Sequence, residues 1–218
     1  MDWNSVNYYR NRNYEHTIQE KINKSIQTER PVGAQKALQF EVFNKIFGNQ
    51  DLTEVHKLSS IDSIQKHNEL IIDMLKTQMP LDSSEIPYVT IEEATKIYQS
   101  IIDSTVVVNK ATYDSSGTEG YCFGRALIGH VEAVAHGLDP RAVKKIWTVG
   151  NWLHYPFHVA ILLRGKEGWY AIDRSFLGVI SAEEWIERSI DSEIKSDKPN
   201  MIFVTNGERF SLNNDLAY

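Results

Sequence analysis

Apolar residues recur at helical spacing through the first third of the chain. The polar stretch 14–29 carries a thin stripe of Ile18, Ile22 and Ile26. In 34–47, Leu38, Val42 and Ile46 stand four apart with Phe43 and Phe47 beside them, and Gly48-Asn49 closes the segment. Between residues 60 and 75, Ile61, Ile64, Leu70, Ile71, Met74 and Leu75 keep the same period. Each of these patterns predicts a helix. A fourth helix is predicted over 90–103. Thr90 and Glu93 suit a capping box, and Ala94, Ile97, Tyr98 and Ile101 form the inward face.

Val106-Val107-Val108 predicts a short strand, and the glycine and small polar residues of 113–120 a loop. A helix should begin at Tyr121 and stop at Gly137, a residue suited to the left-handed position after a helix. Along it Cys122, Ala126, Gly129 and Ala133 form a stripe of small residues, which lets a helix approach a sheet closely. Asp139-Pro140 reads as the cap and first residue of another short helix.

Strand patterns then take over at 146–149, 155–163 and 168–173, the last two joined through Gly165-Lys166-Glu167. Residues 181–190 return to helix, with Ser181 as cap and Glu184 at the reciprocal position. Residues 201–205 and 209–212 around Asn206-Gly207 predict a hairpin with a type I′ turn. The expected organisation is a helical N-terminal segment over 1–85, serving partner recognition or as a cover, and an α+β catalytic domain over 86–218.

Composition narrows the class. A chain of 218 residues, 42% hydrophobic and 24% charged, is globular and large enough to bury its own core. Its 23 basic and 29 acidic residues give a net charge of −6, which argues against a broad nucleic-acid surface. One cysteine excludes an intramolecular disulfide and the multi-cysteine zinc sites. His154 and His158 lack a third ligand at convincing spacing, so neither metal nor cofactor is expected. No apolar run approaches the roughly 18 residues that a membrane span needs. The first residues lack a basic start followed by an apolar core, so the expected location is cytoplasmic, or secreted without a standard signal peptide.

The candidate chemistry centres on Cys122. A glycine-containing loop delivers it to a helix N-terminus, where free amides and the helix dipole favour a thiolate. The bland alternative is a small buried apolar residue. His158 stands in the apolar run 157–163, and Asp173 ends the apolar run 170–172. If the loop between these strands spans 164–167, the two are directly opposite; if it spans 165–168, they are diagonal neighbours. Either way they share a face. An aspartate so placed holds the imidazole's tautomer, and the imidazole deprotonates a thiol presented by the helix. A purely structural, mutually satisfied His–Asp pair is the alternative. His16, His56 and His67 sit singly on polar stretches and read as surface residues; His130, His136 and His154 read as non-catalytic.

Three segments carry a resemblance. Gly120-Tyr121-Cys122-Phe123-Gly124-Arg125-Ala126 resembles the nucleophile motif of bacterial protein glutaminases, the protein-glutamine deamidases: Cys, aromatic, small residue, Arg, Ala. Trp152 followed by Tyr155-Pro156-Phe157-His158-Val159-Ala160 resembles that family's histidine strand, and Ala171-Ile172-Asp173-Arg174-Ser175 its aspartate strand end. Helix 90–103 and Trp185 stand where the family has counterparts. The resemblance covers about residues 87 to 190. It does not extend to 1–85, and Arg174 replaces a usual proline.

The family belongs to the transglutaminase-like, papain-like thiol enzymes. The resemblance therefore implies an α+β papain-like/transglutaminase-like core, a nucleophile helix packed on an antiparallel sheet, preceded here by the helical segment. It implies Cys122 as nucleophile, His158 as base and then acid, and Asp173 as orienting carboxylate. The reaction would convert an exposed protein glutamine to glutamate through a thioester. Trp152 and Tyr155 would wall the cleft or serve as core and rim aromatics; Arg125 would pair with an acid or bind a substrate carboxylate. A transglutaminase or cysteine protease would use the same triad, and a helical interaction protein with an inert Cys122 is the remaining alternative. Family members carry a signal peptide, a pro-segment and commonly disulfides, whereas this chain shows neither a standard signal peptide nor a second cysteine. Delivery into another cell as a toxin or effector would suit a deamidase-like site without a signal peptide.

Overall fold

The structure, a computed structural model, describes residues 50–77, 88–104, 122–152, 155–190, 197–209 and 211–212. The helices predicted over 14–29 and 34–47, the strand at 106–108 and the loop at 113–120 lie outside the described residues.

Local chemistry sets the helix starts. Helix α1 (Leu52–Leu58) is capped by Asp51, whose Oδ1 accepts from the amides of Thr53 and Glu54 at 2.9 and 3.3 Å. Helix α2 (Ile61–Thr77) follows, then α3 (Ile91–Asp103). The expected capping box is formed: the Thr90 amide donates to Glu93 Oε2 at 2.8 Å, and the Glu93 amide to Thr90 Oγ1 at 3.2 Å. Helix α4 (Cys122–Ala135) ends where Gly137 turns the chain at φ +90°, and the amides of Gly137 and Leu138 return to the carbonyls of Val134 and Ala133. Its buried residues are the small stripe itself, Cys122, Ala126, Gly129 and Ala133. A Cβ at Gly129 would stand 2.9 Å from Ile101 Cδ1 and 3.1 Å from Ile161 Cγ2, so the missing side chain is what lets α4 sit this close to its neighbours.

Five strands follow: β1 (Val143–Trp152), β2 (Tyr155–Arg164), β3 (Trp169–Asp173), β4 (Gly178–Ser181) and, after helix α5 (Ala182–Ile190), β5 (Met201–Asn206). They form one antiparallel sheet in the order β4-β3-β2-β1-β5. The described part is thus α+β, five α-helices with a five-stranded antiparallel sheet. Side chains alternate across β2. Ile161 and Leu163, with Ile172 of β3, pack against Ile97 and Ile101 of α3 and Ala133 of α4. His158, Ala160 and Leu162 take the opposite face, where α5 lies. Helices α1 and α2 contribute Leu52, Val55, Ile64, Ile71, Met74 and Leu75 to the same core as Trp147, Ile202 and Phe203.

The structure departs from the sequence pattern in four places. Strand β1 begins three residues before the predicted apolar run. Lys145 is wholly buried within it because its Nζ donates to the Arg209 carbonyl at 2.7 Å and lies 5.9 Å from the Phe123 ring centroid. Strand β4 was not predicted; it is short and begins directly after Leu177, whose φ of +63° is left-handed. His67 is buried, not on the surface. Its Nε2 donates to the Ile202 carbonyl at 2.7 Å, and burial lowers its pKa to about 4, so it is neutral.

Finally, among the described residues the predicted hairpin lacks its second strand: 209, 211 and 212 do not pair with β5. The outer edge of β5 is already occupied: the Ile202 amide donates to Asn68 Oδ1 at 2.9 Å, and Asn68 Nδ2 donates to the Asn200 carbonyl at 2.8 Å. The chain after Asn206 turns away instead. The Arg209 guanidinium holds it by donating to the carbonyls of Gln50, Ser211 and Leu212 at 2.6, 2.9 and 2.9 Å.

Asn68→Ala strips two hydrogen bonds from buried backbone groups at a sheet edge. We expect the urea midpoint to fall, with a loss of about 2–4 kcal/mol. An unchanged midpoint would mean that α2 does not stabilise the edge of β5.

Candidate active site

The β2–β3 register decides which residues meet. Arg164 pairs with Trp169 and Ile161 with Ile172, so the loop is 165–168. This is the diagonal register of the two considered from sequence: continued by one residue it sets Asp173 opposite Ala160 and diagonal to His158. His158 Nε2 lies 2.6 Å from Asp173 Oδ2. The same oxygen accepts from Trp185 Nε1 at 2.7 Å, and Oδ1 accepts from the Ser175 amide at 2.8 Å. Three donors thus fix a carboxylate that is only 4% exposed.

Strand β3 pairs with β2 only as far as Ile161, which leaves the preceding edge of β2 open on that side. The N-terminus of α4 comes to that opening. Cys122 is hydrogen-bonded to the His158 side chain and to the Val159 amide. Since Asp173 holds Nε2, Nδ1 is the imidazole nitrogen that meets the sulfur. The three residues proposed from sequence are therefore joined in one hydrogen-bonded chain. Cys122 and His158 are 6% and 3% exposed, which takes the chain out of bulk water.

Burial and charge oppose each other at every member, and charge wins. Burial would push the Cys122 thiol up, but the hydrogen bond and charge of His158, the Val159 amide and the charge of Arg125 bring it below its ordinary value. Burial would push His158 down, but the charge and hydrogen bond of Asp173, together with Cys122, raise it to about 9. Burial would push Asp173 up, and it is outweighed by His158, Trp185 and the Ser175 amide. At neutral pH the imidazole is protonated and the carboxylate charged, and both the imidazolium and Arg125 favour the thiolate form of Cys122.

Aromatic rings pin the imidazole. Trp152 stacks on His158 with centroids 4.8 Å apart and planes 7° from parallel; Trp185 lies 6.1 Å away at 15°. Phe176 stands edge-on to both indoles, at 5.6 and 6.2 Å. Trp152 is aimed by a register shift between Val149 and Trp152 in β1. There Gly150 has φ +146°, and Asn200 Oδ1 accepts from the Asn151 amide at 2.7 Å. A Cβ on Gly150 would stand 2.4 Å from that oxygen, so the bend needs glycine.

Of the other residues singled out from sequence, Tyr155 stands opposite Trp152 at the start of β2. Arg125 lies one turn along α4 from Cys122, within electrostatic reach of Cys122 and Asp173, and no described acid pairs with it. His130 and His136 do not join the triad: His136 Nδ1 lies 2.8 Å from its own helix's Glu132 carbonyl, and His130 lies beside Gly207. His154 lies outside the described residues. Phe176 and Asn200 were not read from sequence, and Ser175 was read only as part of the aspartate motif, with no role assigned. Phe176 and Ser175 closely follow Asp173 in a 3₁₀ turn, a cue that was available; Asn200 acts through a bend 49 residues away and left no local signal.

Among the described residues, no cluster of three or more His, Cys, Asp or Glu could hold a metal ion, and no helix is long and apolar enough to cross a membrane. Comparison with protein-family models, curated proteins and solved structures finds no match.

Iodoacetamide should alkylate Cys122 in the folded protein at neutral pH, where a free thiol with a pKa of about 8.5 is mostly protonated. His158→Ala removes the charge that opposes burial, so its alkylation rate near pH 6.5 should fall about tenfold or more, with the gap narrowing as pH rises. Equal rates for the two proteins at pH 6.5 would show that the imidazolium does not activate the thiol.

Proposed function

We propose that this protein is a thiol amidohydrolase that deamidates glutamine side chains of proteins to glutamate. The observation that carries the reading is the buried Cys122–His158–Asp173 chain, in which the thiol is shifted down and the imidazole up. Those shifts produce a nucleophile and, beside it, an acid that is still protonated at neutral pH. The choice of glutamine within this thiol chemistry rests on the resemblance of the three motif segments to protein glutaminases. The arrangement of α4 on an antiparallel sheet supports a papain-like/transglutaminase-like core.

In the proposed reaction the Cys122 thiolate attacks the carboxamide carbon. The Cys122 backbone amide, at the start of α4, donates to the developing oxyanion. Nδ1–H of His158 gives its proton to the departing nitrogen, and ammonia leaves a thioester. His158, now neutral, takes a proton from water as the water attacks the thioester, which releases glutamate and restores the thiolate–imidazolium pair. Asp173 holds Nε2 throughout, so Nδ1 keeps facing the sulfur.

The test incubates glutamine-bearing proteins with wild type and with Cys122→Ala, and reads ammonia release together with the mass change of amide to acid by peptide mass spectrometry. Wild type should give both products and Cys122→Ala neither, while remaining folded. Amine crosslinks or chain cleavage in place of the mass change would assign the triad to a transglutaminase or a protease.

Asp173→Asn keeps the side chain's shape but no longer enforces the tautomer, so the rate should fall by about 10²–10⁴. The wild-type rate should also fall as pH rises through about 9, because the leaving group loses its proton source as His158 deprotonates. A rate that climbs steadily through that range would rule out His158 as the acid.

A further inference from the structure

In the thiolate–imidazolium state of the proposed reaction, Cys122, His158 and Asp173 carry one positive and two negative charges, a net of −1. Two guanidinium groups border it. Arg125 stands half-buried one turn along α4 from the nucleophile; Arg174 directly follows Asp173 and is exposed. The other described arginines are engaged elsewhere. Arg141 pairs with Asp139 and Arg188 with Glu184, Arg209 binds backbone carbonyls, and Arg164 is not free. The guanidinium groups of Arg125 and Arg174 have no hydrogen-bond or ion-pair partner among the described residues. The charges of Arg125 and Arg174 act on each other, and Arg125 also feels Cys122 and Asp173.

One guanidinium would balance the triad's surplus negative charge. With the second, the three residues and the two arginines sum to +1, on a protein whose net charge is −6. A guanidinium that is partly withdrawn from water and lacks an acid of its own is suited to an external carboxylate, which it binds in a fork of two N–H groups.

We infer that Arg125 and Arg174 form an anion subsite beside Cys122, which selects a glutamine flanked in its protein by acidic side chains. The choice of glutamine rests on the function proposed above; the subsite itself rests on the charges around the thiol and is measurable without turnover.

The first measurement compares two alkylating reagents on Cys122 of the full chain at low salt: anionic iodoacetate and neutral iodoacetamide. The ratio of their rates reports the local potential, and any change in thiolate population affects both reagents alike. Arg125→Gln and Arg174→Gln should each lower the iodoacetate-to-iodoacetamide ratio by about threefold to tenfold, as expected for removing one neighbouring unit charge in a largely aqueous medium. Added salt should shrink the difference. A ratio unchanged in both variants overturns the subsite.

The second measurement follows ammonia release from matched peptides with glutamate or lysine beside the glutamine. The glutamate peptide should show the lower KM, and Arg174→Gln should erase the preference. Ammonia release without preference overturns the subsite and leaves the deamidase reading intact. An alkylation ratio that responds to both arginines while no peptide releases ammonia supports the subsite and overturns the deamidase reading.

Discussion

The contact on which the site depends is the 2.6 Å bond between His158 and Asp173. An imidazole this buried would ordinarily be neutral, and a neutral imidazole would leave the neighbouring thiol protonated. The carboxylate reverses both outcomes, and it does so only while it is itself charged. Its two further donors, Trp185 Nε1 and the Ser175 amide, supply that condition. Much of the surrounding architecture bears on this contact. Strand β3 ends at Asp173, α5 delivers Trp185 on the same face of the sheet as His158, and the bend in β1 lays Trp152 on the imidazole.

The triad was legible in the sequence because its parts obey local rules. A small-residue stripe marks the helix that can press onto a sheet, and the same stripe puts Cys122 on the buried side. Period two along β2 and β3 restricts His158 and Asp173 to one face in either even register. What the sequence left open, opposite or diagonal, depends on a one-residue shift of a four-residue turn, and turn geometry is set by contacts beyond the strands themselves. The hairpin expected at 201–212 failed for a related reason. Asn206-Gly207 has the local chemistry of a tight turn, yet the edge that a returning strand needs belongs to α2, more than a hundred residues earlier. His67 was misread as a surface residue because its partner, the carbonyl of Ile202, has no signature in sequence.

Residues 50–77 precede the predicted boundary at residue 85, and their apolar side chains lie in the core that also holds Trp147 and Phe203. Their polar side chains matter as much. An edge strand exposes a row of unpaired backbone groups that invites pairing with other chains. On β5 one asparagine and one neutral histidine satisfy the amide and carbonyl of Ile202 without a sixth strand.

That closure has a consequence for how the protein matures. The bonds between α2 and the β5 region join residues 132 to 135 apart in sequence, so a large loop must close before they are gained. Asn200 belongs to both events: its carbonyl accepts from Asn68, and its side chain holds the bend that aims Trp152. Asn200 thus couples completing the sheet to ordering the wall beside His158. A chain still folding can contain Cys122, His158 and Asp173 without the stacked indole that keeps the imidazole in place, so the thiol gains its full environment only when the sheet is closed.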